Sequence, residues 1–111
     1  MLNRALVVVK PKQPFIDWDA TLPGPLKDPN LESLREDCHC FLIPEFGMYS
    51  EVEEILLEVY EAMFDDVLYG WHTDPSRHPK NKTYKMFREW FDIEIHTSIV
   101  DLCDWVLEDD E

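Results

Sequence analysis

The chain has 111 residues, with 24 Asp and Glu against 10 Lys and Arg, so its formal net charge is −14. Hydrophobic residues make up 45% of it, a globular proportion that argues against intrinsic disorder. We predict one compact acidic domain over 1–111, and we expect no direct nucleic-acid or membrane binding, because both need a positive field.

The N-terminal part predicts a strand over 4–10, built on the β-branched run 5–9 and ended by Pro11. We expect this strand to be central and buried on both faces. The apolar run is too short for a signal-peptide core, so we expect a cytoplasmic protein. One or two helical turns over 14–20 follow, and the Pro-rich and Gly-containing segment 21–29 should be irregular.

Two further elements precede the longest one. Asn30 is placed to cap a short helix that continues to Arg35. The run 38–43 then predicts a second strand, closed by Pro44.

The clearest pattern is an amphipathic helix over 51–69, with apolar residues at helical spacing and acids on the other face. Ser50 and Glu53 have the spacing of a capping box. Gly70 is placed to end the helix. We therefore expect a helix whose apolar stripe packs on a core.

The C-terminal part predicts a polar loop over 71–82, a shorter helix over 83–91 and an alternating strand over 92–96 that could extend to Val100. Residues 101–111 are compatible with a short helix but carry no clear pattern. Together the elements predict an α+β fold: a small sheet of three or four strands packed against one long helix and one or two shorter ones.

Charge is segregated along the chain. Residues 36–76 contain eleven acids and no Lys or Arg, residues 77–88 contain five bases and no acid, and residues 89–111 contain nine acids and no base. The helix acids Glu54, Glu58, Glu61 and Asp65 repel one another at their spacing. Solvent and salt, the basic segment 77–88, or a basic partner could offset that repulsion.

The strand 92–96 carries the strongest candidates for chemistry. Asp92, Glu94 and His96 share one face because side chains alternate, and His39 would join them if the two strands are neighbours. Two carboxylates beside an imidazole suit acid–base catalysis or a divalent metal. The alternative interpretation is the solvated side of a sheet covered on its other face.

The cysteines carry a second, weaker metal hypothesis. Cys38 and Cys40 with His72 and His78 offer a zinc ligand set, but structural zinc usually uses paired Cys knuckles, and buried small hydrophobes are the competing interpretation. The third cysteine, Cys103, lies between acids that disfavour a thiolate. We expect no cofactor.

The polar loop 71–82 is the first candidate for binding, because it combines an aromatic residue, two histidines and three bases, and the basic cluster continues to Arg88. Such a patch could hold an anion, or it could pack against the long helix. The candidate interaction residues are Trp71, His72, Arg77, His78, Lys80, Lys82, Lys85 and Arg88, with Glu54, Glu58, Glu61 and Asp65 on the helix.

No phosphate-binding glycine loop, nucleophile elbow or metalloprotease signature occurs. The leading hypothesis is therefore a non-catalytic protein-interaction or regulatory domain acting through charged surfaces, with a basic protein as partner. The alternatives are a small metal-dependent or acid–base enzyme using Asp92, Glu94 and His96, and an acidic DNA mimic. The sequence leaves the oligomeric state open.

Overall fold

A computed structural model describes residues 1–24 and 30–109. The part of the predicted irregular segment that covers 25–29 lies outside the described residues. The strands are β1 (Arg4–Pro11), β2 (His39–Pro44) and β3 (Phe91–His96). The helices are α1 (Gln13–Asp19), α2 (Leu31–Leu34), α3 (Val52–Trp71) and α4 (Tyr84–Trp90).

The three strands form an antiparallel sheet in the order β2-β1-β3. Its register places Val7 of β1 opposite Phe41 on one side and opposite Ile95 on the other. The predicted α+β fold is confirmed, and the described residues form a sheet of three strands.

The central position of β1 is confirmed, but the expectation that both of its faces are buried is wrong. Ala5, Val7 and Val9 are buried in the core, whereas Leu6 and Val8 on the opposite face are only half-buried. The core joins the first set to residues of α1, α3 and α4, so the helices cover one face of the sheet. We call the other side the open face.

The core is centred on three fully buried rings, from Phe64 of α3, Phe87 of α4 and Phe91 at the start of β3. Their centroids lie 5.4 to 5.6 Å apart, within the range of favourable aromatic pairs. Because β3 begins directly after α4, Phe91 closes the core at the point where the chain turns from helix to strand.

Two of the short helices, α2 and α4, are capped by a side chain at their N-terminus. The Asn30 side chain accepts a hydrogen bond from the Ser33 amide at 3.3 Å, which confirms the predicted cap of α2. At α4, the Thr83 hydroxyl accepts from the Met86 amide at 3.1 Å.

The helix α3 differs from its prediction at both ends. A 3-10 turn (Tyr49–Glu51) precedes it and no side-chain cap is formed, so the predicted capping box is wrong. Gly70 does not end the helix, which continues to Trp71. A methyl group at Gly70 would lie 3.1 Å from His39 Nε2, so this glycine allows β2 and the end of α3 to approach each other.

The C-terminal segment 97–109 forms neither helix nor strand. It is attached to the start of the chain by a hydrogen bond from the Leu2 amide to the Ile99 carbonyl, at 2.7 Å. Within 1–24 and 30–109, no helix is long and apolar enough to cross a membrane.

Candidate functional site

The candidate catalytic residues on β3 lie on the open face of the sheet, where each carboxylate is held by bases. Asp92 Oδ2 lies 2.8 Å from Arg35 Nη2, and Asp92 Oδ1 lies 3.8 Å from Lys12 Nζ. The Glu94 carboxylate pairs with Lys10 and accepts a hydrogen bond from His96 Nε2 at 2.9 Å.

These contacts explain the electrostatics of the cluster. The Lys10 ammonium and the His96 imidazole hold the pKa of the Glu94 carboxyl below its usual value. Roughly half of the side-chain surface of Asp92, Glu94 and His96 is exposed, and the arrangement is that of a flat, solvated sheet surface. None of these three side chains lines the cavities that are described below.

The fourth candidate, His39, does not join this cluster. It lies on β2, on the other side of β1 from β3. Its register partner is Val9, so its side chain is on the helix-covered face, where its ring stacks on Phe41 with centroids 6.2 Å apart.

The candidate zinc ligands are also placed separately. The Cys38 thiol contacts the Leu34 carbonyl, and burial raises its pKa. Cys40 lies one residue beyond β2's first position, with its thiol against the Cys38 carbonyl. His78 is buried between Tyr69 and Trp18, and its Nε2 donates to the His72 carbonyl at 2.6 Å. No group of three or more His, Cys, Asp or Glu in the described parts of the chain is arranged to hold a metal ion.

The end of α3 and the loop that follows it are each fixed to α1 by an indole hydrogen bond. Trp71 Nε1 donates to Asp19 Oδ1 at 2.9 Å, and Trp18 Nε1 donates to the Arg77 carbonyl at 3.0 Å. Asp19 is a buried carboxylate, and its hydrogen bond with Trp71 holds the end of α3 to the end of α1. Trp71 and His78 therefore have structural contacts within this domain.

The basic segment 77–88 folds partly onto α3. Lys82 Nζ lies 3.0 Å from Asp65 Oδ1, and Arg88 Nη1 lies 2.8 Å from Glu53 Oε1. A hydrogen bond from the Tyr84 hydroxyl and the pair with Arg88 hold the pKa of Glu53 below its usual value. In the described structure, Arg77, Lys80 and Lys85 are exposed and form no ion pair.

Three of the candidate helix acids remain exposed. Glu54, Glu58 and Glu61 follow one another at spacings of four and three, and they form one row on α3, which we call the acidic face. Of the bases that the structure describes, none lies within 4.0 Å of these three carboxylates, and Glu61 accepts only a 3.3 Å hydrogen bond from the Tyr60 hydroxyl.

The structure also contains a groove that the charge pattern did not indicate. It lies between β2 and α3 and has a volume of about 490 Å³. The residues that line it are Phe41, Leu42, Ile43 and Pro44 from β2, Val59, Ala62, Met63 and Asp66 from α3, and Asp109. The only sequence signal for it is the uncharged run between Asp37 and Glu45, which does not by itself reveal an edge strand.

A second, smaller cavity lies beneath α2. It has a volume of about 180 Å³, below the range of about 300–1,000 Å³ that is usual for ligand pockets. Phe15, Trp71 and Phe91 form its apolar wall, and Asp37 and Cys38 lie at its border. We interpret it as a packing gap.

The C-terminal segment exposes apolar side chains between its acids. Trp105 is 70% exposed and Leu102 is 92% exposed, and Val106 and Leu107 are exposed as well. The sequence of this segment predicts no definite element, and its acids are interspersed with large apolar residues.

Comparison of the chain with protein-family models, with curated proteins and with solved structures found no match.

Proposed function

We propose that this protein is a non-catalytic protein-interaction domain whose acidic face binds a basic partner protein. One observation carries the proposal: Glu54, Glu58 and Glu61 stay exposed and without an ion pair within the described structure, although a basic segment folds against the same helix. Lys82 and Arg88 of that segment pair with Asp65 and Glu53 of α3, and neither base reaches the acidic face.

The energetics favour an external cation at this row. Like charges three and four residues apart on a helix oppose its formation by about 0.2–0.5 kcal/mol per pair. A partner with Lys or Arg at matching positions would remove that repulsion. A surface of one sign would also increase the association rate of such a partner, and the effect would weaken as salt is added.

The contacts of the β3 cluster agree with a non-catalytic role. Asp92 and Glu94 are already paired with bases, and His96 donates to Glu94 on an open surface. The DNA-mimic alternative requires a continuous row of unpaired carboxylates. Since Lys82 pairs with Asp65, the row ends after Glu61, which makes a protein surface the better-supported partner.

We propose the cytoplasm as the compartment. All three cysteines are free, and two of them, Cys40 and Cys103, are exposed. Exposed free thiols are typical of a reducing environment.

Neutralising the acidic face tests the proposal. The protein and its Glu54→Gln/Glu58→Gln/Glu61→Gln variant are used as baits in native lysate at about 50 mM and about 500 mM salt, where screening differs strongly. A matched control is Glu32→Gln/Glu36→Gln/Glu89→Gln, which changes the net charge equally at exposed positions elsewhere.

We expect the natural chain and the control to capture the same basic protein at low salt, and we expect the acidic-face variant not to capture it. Equal capture by all three baits, or capture that ignores salt, would contradict the proposal.

A further inference from the structure

The two edges of the sheet differ in how they are protected. On β3, charged or titratable side chains occur at Asp92, Glu94 and His96, the usual protection of an edge against pairing with another chain. On β2, no Lys, Arg, Asp or Glu lies between Asp37 and Glu45, and the one histidine, His39, lies on the helix-covered face. No other strand of the described chain pairs with the outer side of β2.

The hydrogen-bond pattern shows which peptide groups of β2 face outward. The Lys12 amide donates to the Trp90 carbonyl, so the even-numbered residues of β1 bond toward β3. The odd-numbered ones therefore bond toward β2, where their register partners are His39, Phe41 and Ile43. The N–H and C=O groups of Cys40 and Leu42 consequently point away from the sheet. The C=O group of Pro44 does so too, but proline has no N–H group to expose.

Beside these outward groups lies the groove between β2 and α3. Its floor is apolar, formed by Phe41 and Ile43 on one side and Val59 and Met63 on the other. Asp66 and Asp109 line it, and none of the bases that the structure describes does. Unpaired strand amides above an apolar, acid-bordered groove have the features of a site for strand addition.

We propose that a segment of the basic partner adds to β2 as an antiparallel strand. Its alternate apolar residues lie in the groove, and Lys or Arg at its ends meet Asp37 and Glu45, which flank β2. This inference rests on the proposed function and names the form of the contact.

Charge selects this occupant over two others. A second copy paired about Phe41 would place Asp37 opposite the other copy's Glu45, and each copy carries a net charge of −14. The chain's own C-terminal segment already reaches the groove at Asp109, and placing more of it there would bring further carboxylates to Asp66. A basic extended segment meets neither repulsion.

The test uses the full chain and a fluorescent probe peptide, Lys-Lys-Val-Thr-Val-Thr-Val-Lys-Lys, with binding measured by anisotropy at physiological salt. If the valine side chains lie in the groove, the threonine side chains lie on the open face, as those of Cys40 and Leu42 do. Residues of a hydrogen-bonded pair share a face, so the threonine amides are those that bond to Cys40 and Leu42. N-methylation of both threonines should weaken binding at least about tenfold, whereas N-methylation of two valines should change it little.

Two variants of the protein test the same hydrogen bonds by changing β2 instead of the probe. Leu42→Pro removes one outward N–H at an edge position that tolerates proline, and Leu42→Thr keeps it. We expect the first to weaken probe binding about tenfold relative to the second, with unchanged circular dichroism. If Leu42→Pro does not fold, the methylated probes alone decide the outcome.

Equal binding of both methylated probes would overturn strand addition. If the acidic-face variant nevertheless bound the probes more weakly than the natural chain, the proposed function would stand without strand addition. A dimer in sedimentation that Leu42→Pro dissociates would overturn the proposal in favour of a second copy. An approximately tenfold gain of affinity in Trp105→Ser/Leu107→Ser would overturn it in favour of the C-terminal segment.

Discussion

Arg88 of α4 and Glu53 of α3 form an ion pair at 2.8 Å. The same arginine nitrogen, Nη1, also donates a hydrogen bond to the Tyr84 hydroxyl, so it links Glu53 and Tyr84. The pair joins the basic segment to the first turn of the long helix. It also explains why Glu53 does not turn back to Ser50, since its carboxylate is held by α4.

This pair should give a measurable pH dependence. The folded-state pKa of Glu53 lies below its ordinary value, so its stabilisation is present above an unfolded pKa of about 4.3 and is lost as the pH falls through the lower folded value. Both side chains are largely exposed, so Glu53→Gln should cost less than about 1 kcal/mol at neutral pH. Urea unfolding at several pH values measures it.

The matched control for this prediction is Glu54→Gln, which removes the same charge one residue away, on the acidic face. It should change stability by no more than a few tenths of a kcal/mol, because the repulsion from Glu58 that it relieves offsets the favourable position of Glu54 in the first turn of α3. A cost for Glu53→Gln that persists undiminished in acid would contradict the role of the pair.

The indole of Trp71 should matter through its N–H group. Trp71→Phe retains a ring but removes a hydrogen bond to the buried carboxylate of Asp19, which should lower the free energy of unfolding by about 1–3 kcal/mol. Trp105→Phe, at an exposed position, is the control and should have no effect. If the two substitutions destabilise equally, the Asp19 contact does not hold α3 to α1.

Gly70 should be coupled to His39. Replacing a helical glycine by alanine usually stabilises by about 0.5–1 kcal/mol, but a Cβ here would lie 3.1 Å from His39 Nε2. We expect Gly70→Ala to give its full gain only in a His39→Ala background. Chemical unfolding of the four proteins of this double-mutant cycle measures the coupling, and an identical gain in both backgrounds would disprove the close approach.

The three thiols should react at different rates. Cys40 and Cys103 are exposed, whereas Cys38 is partly buried, and burial raises its pKa and so lowers its thiolate fraction. We expect two fast labels and one slow label in the folded protein, and three fast labels in urea. Mass spectrometry of the labelled peptides identifies them, and early modification of Cys38 would contradict this placement.

Local patterns were enough to predict most elements. The alternation of Asp92 to His96 and the helical period of α3 are properties of neighbouring residues, and Asn30 caps its helix within three residues. The predictions that failed involve distant residues. The capping box fails because Tyr84 and Arg88 bind Glu53, and the helix continues past Gly70 because Trp71 reaches Asp19.

The candidate sites show the same division. From composition and spacing alone, the protein had to be acidic, with a row of helix carboxylates and a separate basic segment, because charge count and helical period need no tertiary information. Only the tertiary structure decided which of those carboxylates are neutralised, that His39 is separated from Asp92, Glu94 and His96 by the central strand, and that β2 is an uncharged edge beside a groove. The physical reason is that strand order, ion pairing and edge exposure arise from contacts between residues far apart in the chain, and periodicity does not encode them.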